Sequence, residues 1–172
     1  MVKVTYILCF VSCYLIGIGT AYAQEISRDS LLTVSREIIR NAGNCALITS
    51  DESGQPRVRT MDPFPPEKNM EVWLGTNSLS RKVDQIKNDP RVSLYYFDKE
   101  NAAYVIIYGK AILIDDPQIK ETKWKKEWEA FYPDNERNYL LIQVVPETME
   151  VLSPMHGVNN DPVTWKPPIV EF

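Results

Sequence analysis

Thr76, Ser78, Ser80, Arg81 and Lys82 stand within one short run between two apolar segments, where Pro90 soon ends any helix that starts there. A helix N-terminus exposes unpaired N–H groups and a partial positive charge, so it accepts anions. Cations opening a helix are unfavourable for the helix alone, and an anion offsets that. Three hydroxyls and two adjacent cations at such a point suggest a phosphate. The plainer alternative is that Ser78 or Ser80 caps the helix while Arg81 and Lys82 face water.

A second basic pair lies upstream. Arg57 and Arg59 are two apart in "SGQPRVRTM", so on a strand they project from one face, which makes them poor core material. A phosphate held by Arg59 together with Lys82 satisfies both clusters; an ion pair across strands is the alternative.

Other nucleophile and metal chemistry is sparse. His156 is the single histidine, and Cys45, in the apolar "NCALITS", reads as a small buried hydrophobe. No His, Cys and carboxylate grouping has metal-ligand spacing.

The elements that must position these residues follow from periodicity. Leu31, Leu32, Ser35, Ile38 and Ile39 recur at helical spacing with Gly43 just beyond, which predicts a helix over 27–41. Two strands joined by a turn at 51–54 follow as a hairpin. After a Pro-rich loop, "MEVWLGT" is a third strand and 80–88 a short helix. "RVSLYYF" and "AAYVIIYGKAILIDD" are strands, and Asp116-Pro117 opens a helix running through Tyr132. On it Trp124, Trp128, Phe131 and Tyr132 share one face and read as core. "YLLIQVVPETMEVLS" supplies one or two strands around Pro146, and 154–172 reads as a surface arm without period. Strands that often follow one another without a crossover helix predict an α+β fold, a small antiparallel barrel.

Residues 1–23 combine an early Lys3, an apolar middle and the small-x-small ending Ala21-Tyr22-Ala23, the pattern of a signal peptide cut before Gln24. The expected organisation is therefore a leader (1–23), one domain (24–153) and an arm (154–172), in a secreted or periplasmic protein. Cleavage removes only Lys3 from 19 cations, leaving 18 against 23 acidic residues. Such a balance gives no footprint for nucleic acid or an anionic membrane. Cys9 and Cys13 leave with the leader, so Cys45 has no internal disulfide partner.

The run "TNSLSRKVDQIKNDPRVSLYYF", preceded by "SGQPRVRTM" and followed by "YVIIYGKAIL", closely resembles the flavin-binding split-barrel family of pyridoxamine 5'-phosphate oxidase and the small general stress proteins. The resemblance implies an antiparallel split β-barrel with peripheral helices that holds flavin mononucleotide (FMN). By it, Arg59 falls on the strand arginine that holds the FMN phosphate, and Ser80, Arg81 and Lys82 complete that site. Thr76 contacts the flavin, Thr60, Met61 and Asp62 run beside the ring, and Tyr104 stands near a flavin-contacting glutamine. A homodimer with the flavin at its interface and a small-molecule electron donor or acceptor are implied as well. "MDPFPP" replaces the oxidases' lysine, their substrate segment has no counterpart between Asp115 and Tyr139, and their C-terminal Arg-x-His is absent. The expectation is thus an oxidoreductase-like flavoprotein of undefined substrate that is not a pyridoxamine phosphate oxidase. The alternative is a non-catalytic binding protein for flavin, haem or another planar ligand, with His156 as a haem's axial ligand.

Overall fold

The computed structural model describes residues 26–130 and 138–172. Helix α1 (Arg28–Ala42) opens on Ser27, whose hydroxyl accepts from the Ser30 amide, and stops at Gly43 at φ 69°. It buries Leu31, Ser35, Ile38 and Ile39, the face its periodicity predicts.

The hairpin of β1 (Cys45–Ser50) and β2 (Pro56–Met61) turns on Asp51, whose Oδ1 accepts from the Ser53 and Gln55 amides at 2.9 and 3.0 Å. Next come β3 (Val72–Asn77), α2 (Arg81–Asn88), β4 (Arg91–Asp98), β5 (Ala103–Ile114), α3 (Pro117–Thr122), β6 (Tyr139–Leu152) and β7 (Ile169–Glu171). Among the described residues these seven strands form one antiparallel sheet in the order β2-β1-β4-β5-β6-β3, with β7 on β6. The two ends of that order meet, because Pro63 just after β2 bridges to Leu74 on β3 and the Phe64 amide donates to Trp73 O at 2.9 Å. This closure makes the curved sheet a barrel, the α+β split barrel expected.

Alternation along the strands sends Leu47, Leu74, Leu94, Val105, Ile107, Ile142 and Met149 inward to a core that α1 covers. The opposite side shows Ile48, Tyr95, Phe97, Tyr104, Ile106 and Tyr108, partly exposed.

Two expectations change and one open choice is settled. Of the one or two strands expected around Pro146 the structure has one, β6: the register with β5 shifts beside Gly109, and Pro146 sits at that irregularity, where its missing N–H does no harm. A side chain at Gly109 would begin 2.1 Å from Val145 O, so glycine is required there by the close backbone approach.

The helix expected through Tyr132 ends at Thr122, with a separate 3-10 turn at Lys126–Ala130. Phe131 and Tyr132 lie outside the described residues. Trp128 packs with Trp73, Tyr139 and Leu141 in a small second core, and Tyr139 OH donates to Lys123 O at the break, so tertiary packing overrides the helical period.

The arm is not wholly irregular. Its last residues add β7 to the sheet, and Arg28 on α1 donates to Glu171 O at 3.2 Å.

Candidate functional site

Ser80 occupies the N-cap of α2 in extended geometry, yet its side chain makes no capping bond. Its hydroxyl lies 3.1 Å from Thr76 Oγ1, and Lys82 Nζ donates to both, at 3.1 Å to Thr76 and 3.2 Å to Ser80. The plain capping role is therefore positional only. β3 delivers the buried Thr76 to this point, and the turn back into α2 is held by Ser80 N to Asn77 O and Leu79 N to Asn77 Oδ1.

Arg59 comes from β2, opposite Leu47. Its guanidinium donates to Thr49 Oγ1 at 2.7 Å and Gln85 Oε1 at 2.8 Å, and Thr49 itself donates to Gln85 at 2.6 Å. These acceptors are neutral, so they fix the fork's direction and leave its charge uncompensated. Burial, then the nearby Arg81, lowers the Arg59 pKa. Burial, then Arg59, lowers that of Lys82. Both shifts express cations that gather without a carboxylate. Among the described residues Arg59, Arg81 and Lys82 have no ion-pair partner. Arg57 differs: it is paired with Asp51 at 2.6 Å, the ion-pair alternative for the two strand arginines.

Next to the cations opens a cleft of about 420 Å³ lined by Thr60, Met61, Asp62, Gly75, Thr76, Asn77, Lys82, Glu127 and Trp128. Five of the eight residues singled out in the sequence thus share one wall. Arg59 and Ser80 adjoin Lys82 and Thr76, while Arg81 borders a neighbouring groove with Asp51, Asp84 and Gln85. The Asp62 carboxylate is committed within the protein, taking Lys125 Nζ at 2.6 Å and Trp128 Nε1 at 2.8 Å.

Two functional positions escaped the sequence reading. Gln85, buried on α2, aims Arg59; its only signal was a polar residue in the helix's inward register. Gly75 must be glycine because a Cβ would stand 2.4 Å from the Trp128 ring, which walls the cleft.

Tyr104 lies on the outer face near Tyr95, away from this cleft. His156 has Ser153 Oγ 2.8 Å from Nδ1 and Glu37 Oε2 3.6 Å from Nε2. Both ring nitrogens thus have a protein group nearby. Burial pushes the Cys45 thiol up to about 12, as befits a core residue.

The donor set suits a phosphate monoester. Lys82, Arg59 and the α2 amides supply charge-assisted donors, and the hydroxyls of Thr76 and Ser80 supply adjustable ones. The cleft beside them can take a flat group.

The family model described as Pyridoxamine 5'-phosphate oxidase like matches residues 31–157. General stress protein 26 of Bacillus subtilis is 23% identical over 106 residues, 59% of this chain and 74% of that protein. A solved protein related to general stress protein 26, from Clostridium acetobutylicum, superposes with TM-score 0.69 at 21% identity, covering 84% of this chain and 96% of that one. A pyridoxamine 5'-phosphate oxidase-related, FMN-binding protein from Nostoc punctiforme superposes with TM-score 0.60 at 17% identity, covering 84% and 95%.

Proposed function

Because this chain belongs to the pyridoxamine 5'-phosphate oxidase like family, we propose that it is an exported, homodimeric FMN-binding protein that carries out two-electron chemistry on a small-molecule donor or acceptor. The observation that carries this reading is Lys82 on the hydroxyls of Thr76 and Ser80, with Arg59 near Lys82, Arg81 near Arg59, and no ion-pair partner for any of the three among the described residues. Arg59, Ser80, Arg81 and Lys82 hold the phosphate, and Thr60, Met61 and the backbone of Asp62 flank the ring. FMN, when bound, supplies the hydride transfer. This chain's residues bind and orient it and, through Trp128 and Gly75, narrow the cleft from one side.

The homodimer is supported by the outer face of β1, β4 and β5, where Ile48, Tyr95, Phe97, Tyr104, Ile106 and Tyr108 make a partly exposed apolar and aromatic patch. It is next to the edge strand β2, which carries Thr60. Export is supported by the leader-like residues 1–23.

Non-catalytic binding is the second reading. It is favoured by the Asp62 carboxylate, which lines the cleft yet is tied to Lys125 and Trp128 and so is not poised to move a proton. Titration of the mature protein with FMN, beside the Arg59→Ala/Lys82→Ala variant, tests the site. Binding by the parent and little by the variant supports it; no binding by the parent removes FMN from the reading. Reduction of bound FMN by candidate donors then separates turnover from storage.

A further inference from the structure

The family match stops at residue 157, but the chain beyond it is built into the structure. Ser153 and Val158 pair in a bridge, and the segment returns to the sheet as β7. Between them Asp161 organises a tight turn. Its Oδ1 accepts from the amides of Val163 and Thr164 at 3.0 and 2.6 Å and from Thr164 Oγ1 at 2.9 Å, while its backbone exchanges bonds with Trp165 and Lys166 at 2.9 Å each. Pro162, Pro167 and Pro168 stiffen the flanks.

This rigid turn presents apolar side chains to solvent. Val163 is 84% exposed and Trp165 76%, with Trp165 held at φ 59°, a region bulky residues seldom occupy. A turn that orders its backbone tightly only to display a tryptophan has the features of a preorganised anchor.

Register says which surface the anchor continues. Ile169 pairs with Glu150, and Glu150 pairs with Ile106, so the half-exposed Ile169 extends the same outer face as Tyr104, Ile106 and Tyr108. The Pro168 carbonyl accepts from the Val151 amide at 3.2 Å, which roots the turn at that face's edge. Charge points to like chains. Lys166 beside the tryptophan, and Glu150 and Glu171 on the face, all lack ion-pair partners among the described residues. A second copy can set its Lys166 against Glu150, which here accepts from Tyr108 OH at 3.5 Å, or Glu171, a complementary charge at the rim of an apolar centre between two acidic chains.

We infer that residues 158–172 form a clasp in which the Asp161 turn docks Trp165 and Val163 onto the outer face of a second copy. The inference rests on the homodimer reading given above. Burying both side chains at the two symmetric ends makes Trp165 a hot spot for assembly.

Sedimentation equilibrium of the mature protein, the Trp165→Ala variant and the Trp165→Phe variant tests it, with thermal melts to confirm that the exposed substitutions leave the fold intact. The expected result is a parent dimer whose dissociation constant rises roughly tenfold or more in Trp165→Ala and less in Trp165→Phe. A parent dimer with an unchanged constant in Trp165→Ala overturns the clasp and leaves the homodimer reading standing. A parent that stays monomeric throughout overturns both. Trp165-dependent binding to neutral lipid vesicles, with dimerisation unchanged, overturns the clasp in favour of a membrane partner.

Discussion

Lys82 Nζ sits 3.1 Å from Thr76 Oγ1 and 3.2 Å from Ser80 Oγ, half-buried and facing hydroxyls where a buried lysine ordinarily faces a carboxylate. Burial and the nearby Arg59 lower its pKa, so the ligand-free protein carries this cation at a loss. The arrangement is stable in the folded chain because the surrounding β-barrel over-determines it, and it makes functional sense if an anion completes it.

Lys82→Met is accordingly expected to raise the melting temperature of the FMN-free protein, by about 2–4 °C for each kcal/mol recovered. The same substitution is expected to weaken FMN binding by roughly 10- to 100-fold, the worth of a charge-assisted bond. Melting curves and fluorescence titration read the two effects. A variant that loses stability and keeps affinity would sink the phosphate-site account.

Gln85→Glu places a carboxylate where Arg59 now finds a neutral acceptor at 2.8 Å. The folded protein is expected to hold its stability while FMN affinity falls well below that of Gln85→Leu, because the new charge cancels the field that attracts phosphate. Equal affinity in the two variants would show that Gln85 matters only for aiming the guanidinium.

Gly75→Ala is expected to destabilise the protein by about 1–3 kcal/mol, since its Cβ would begin 2.4 Å from the Trp128 ring. Trp128→Ala alone leaves a cavity and costs about 3–5 kcal/mol. The double variant should be less unstable than the sum of the two, as urea denaturation will measure; strict additivity would mean that the ring does not press on Gly75.

Acid stability has a definite sign. The Arg91 guanidinium, 2.6 Å from Asp89, and the Arg91 backbone amide hold the Asp89 carboxyl down at about 2, below its ordinary 3.8. Ser53 and then Arg57 hold Asp51 lower still. Carboxyls depressed in the folded state contribute stability that is present above their unfolded values and lost as pH falls through the folded ones. The melting temperature should therefore begin to fall below about pH 3.8 and continue down past about pH 2. Asp51→Asn and Asp89→Asn should flatten that fall, and an unchanged profile in both variants would exclude them as its source.

The sequence by itself determined strands β1–β6, α1 with its glycine stop, the Asp51 turn and the run of hydroxyls and cations where α2 starts. These are local signals: period two or three and six-tenths, turn residues, and hydroxyls with cations at a helix start. What only the tertiary structure decided involves residues distant in sequence. Asp62, Lys125 and Trp128 meet across more than sixty residues and break the helix expected through Tyr132. Packing in the second core supplied energy that no propensity in that segment records. Gln85 became the acceptor that aims Arg59 because α2 packs on β1 beside β2, and Gly75 the contact that Trp128 requires because the second core seats that ring against β3. The arm read as irregular gained β7 for the same reason: three residues form a strand only when β6 offers an edge to pair with.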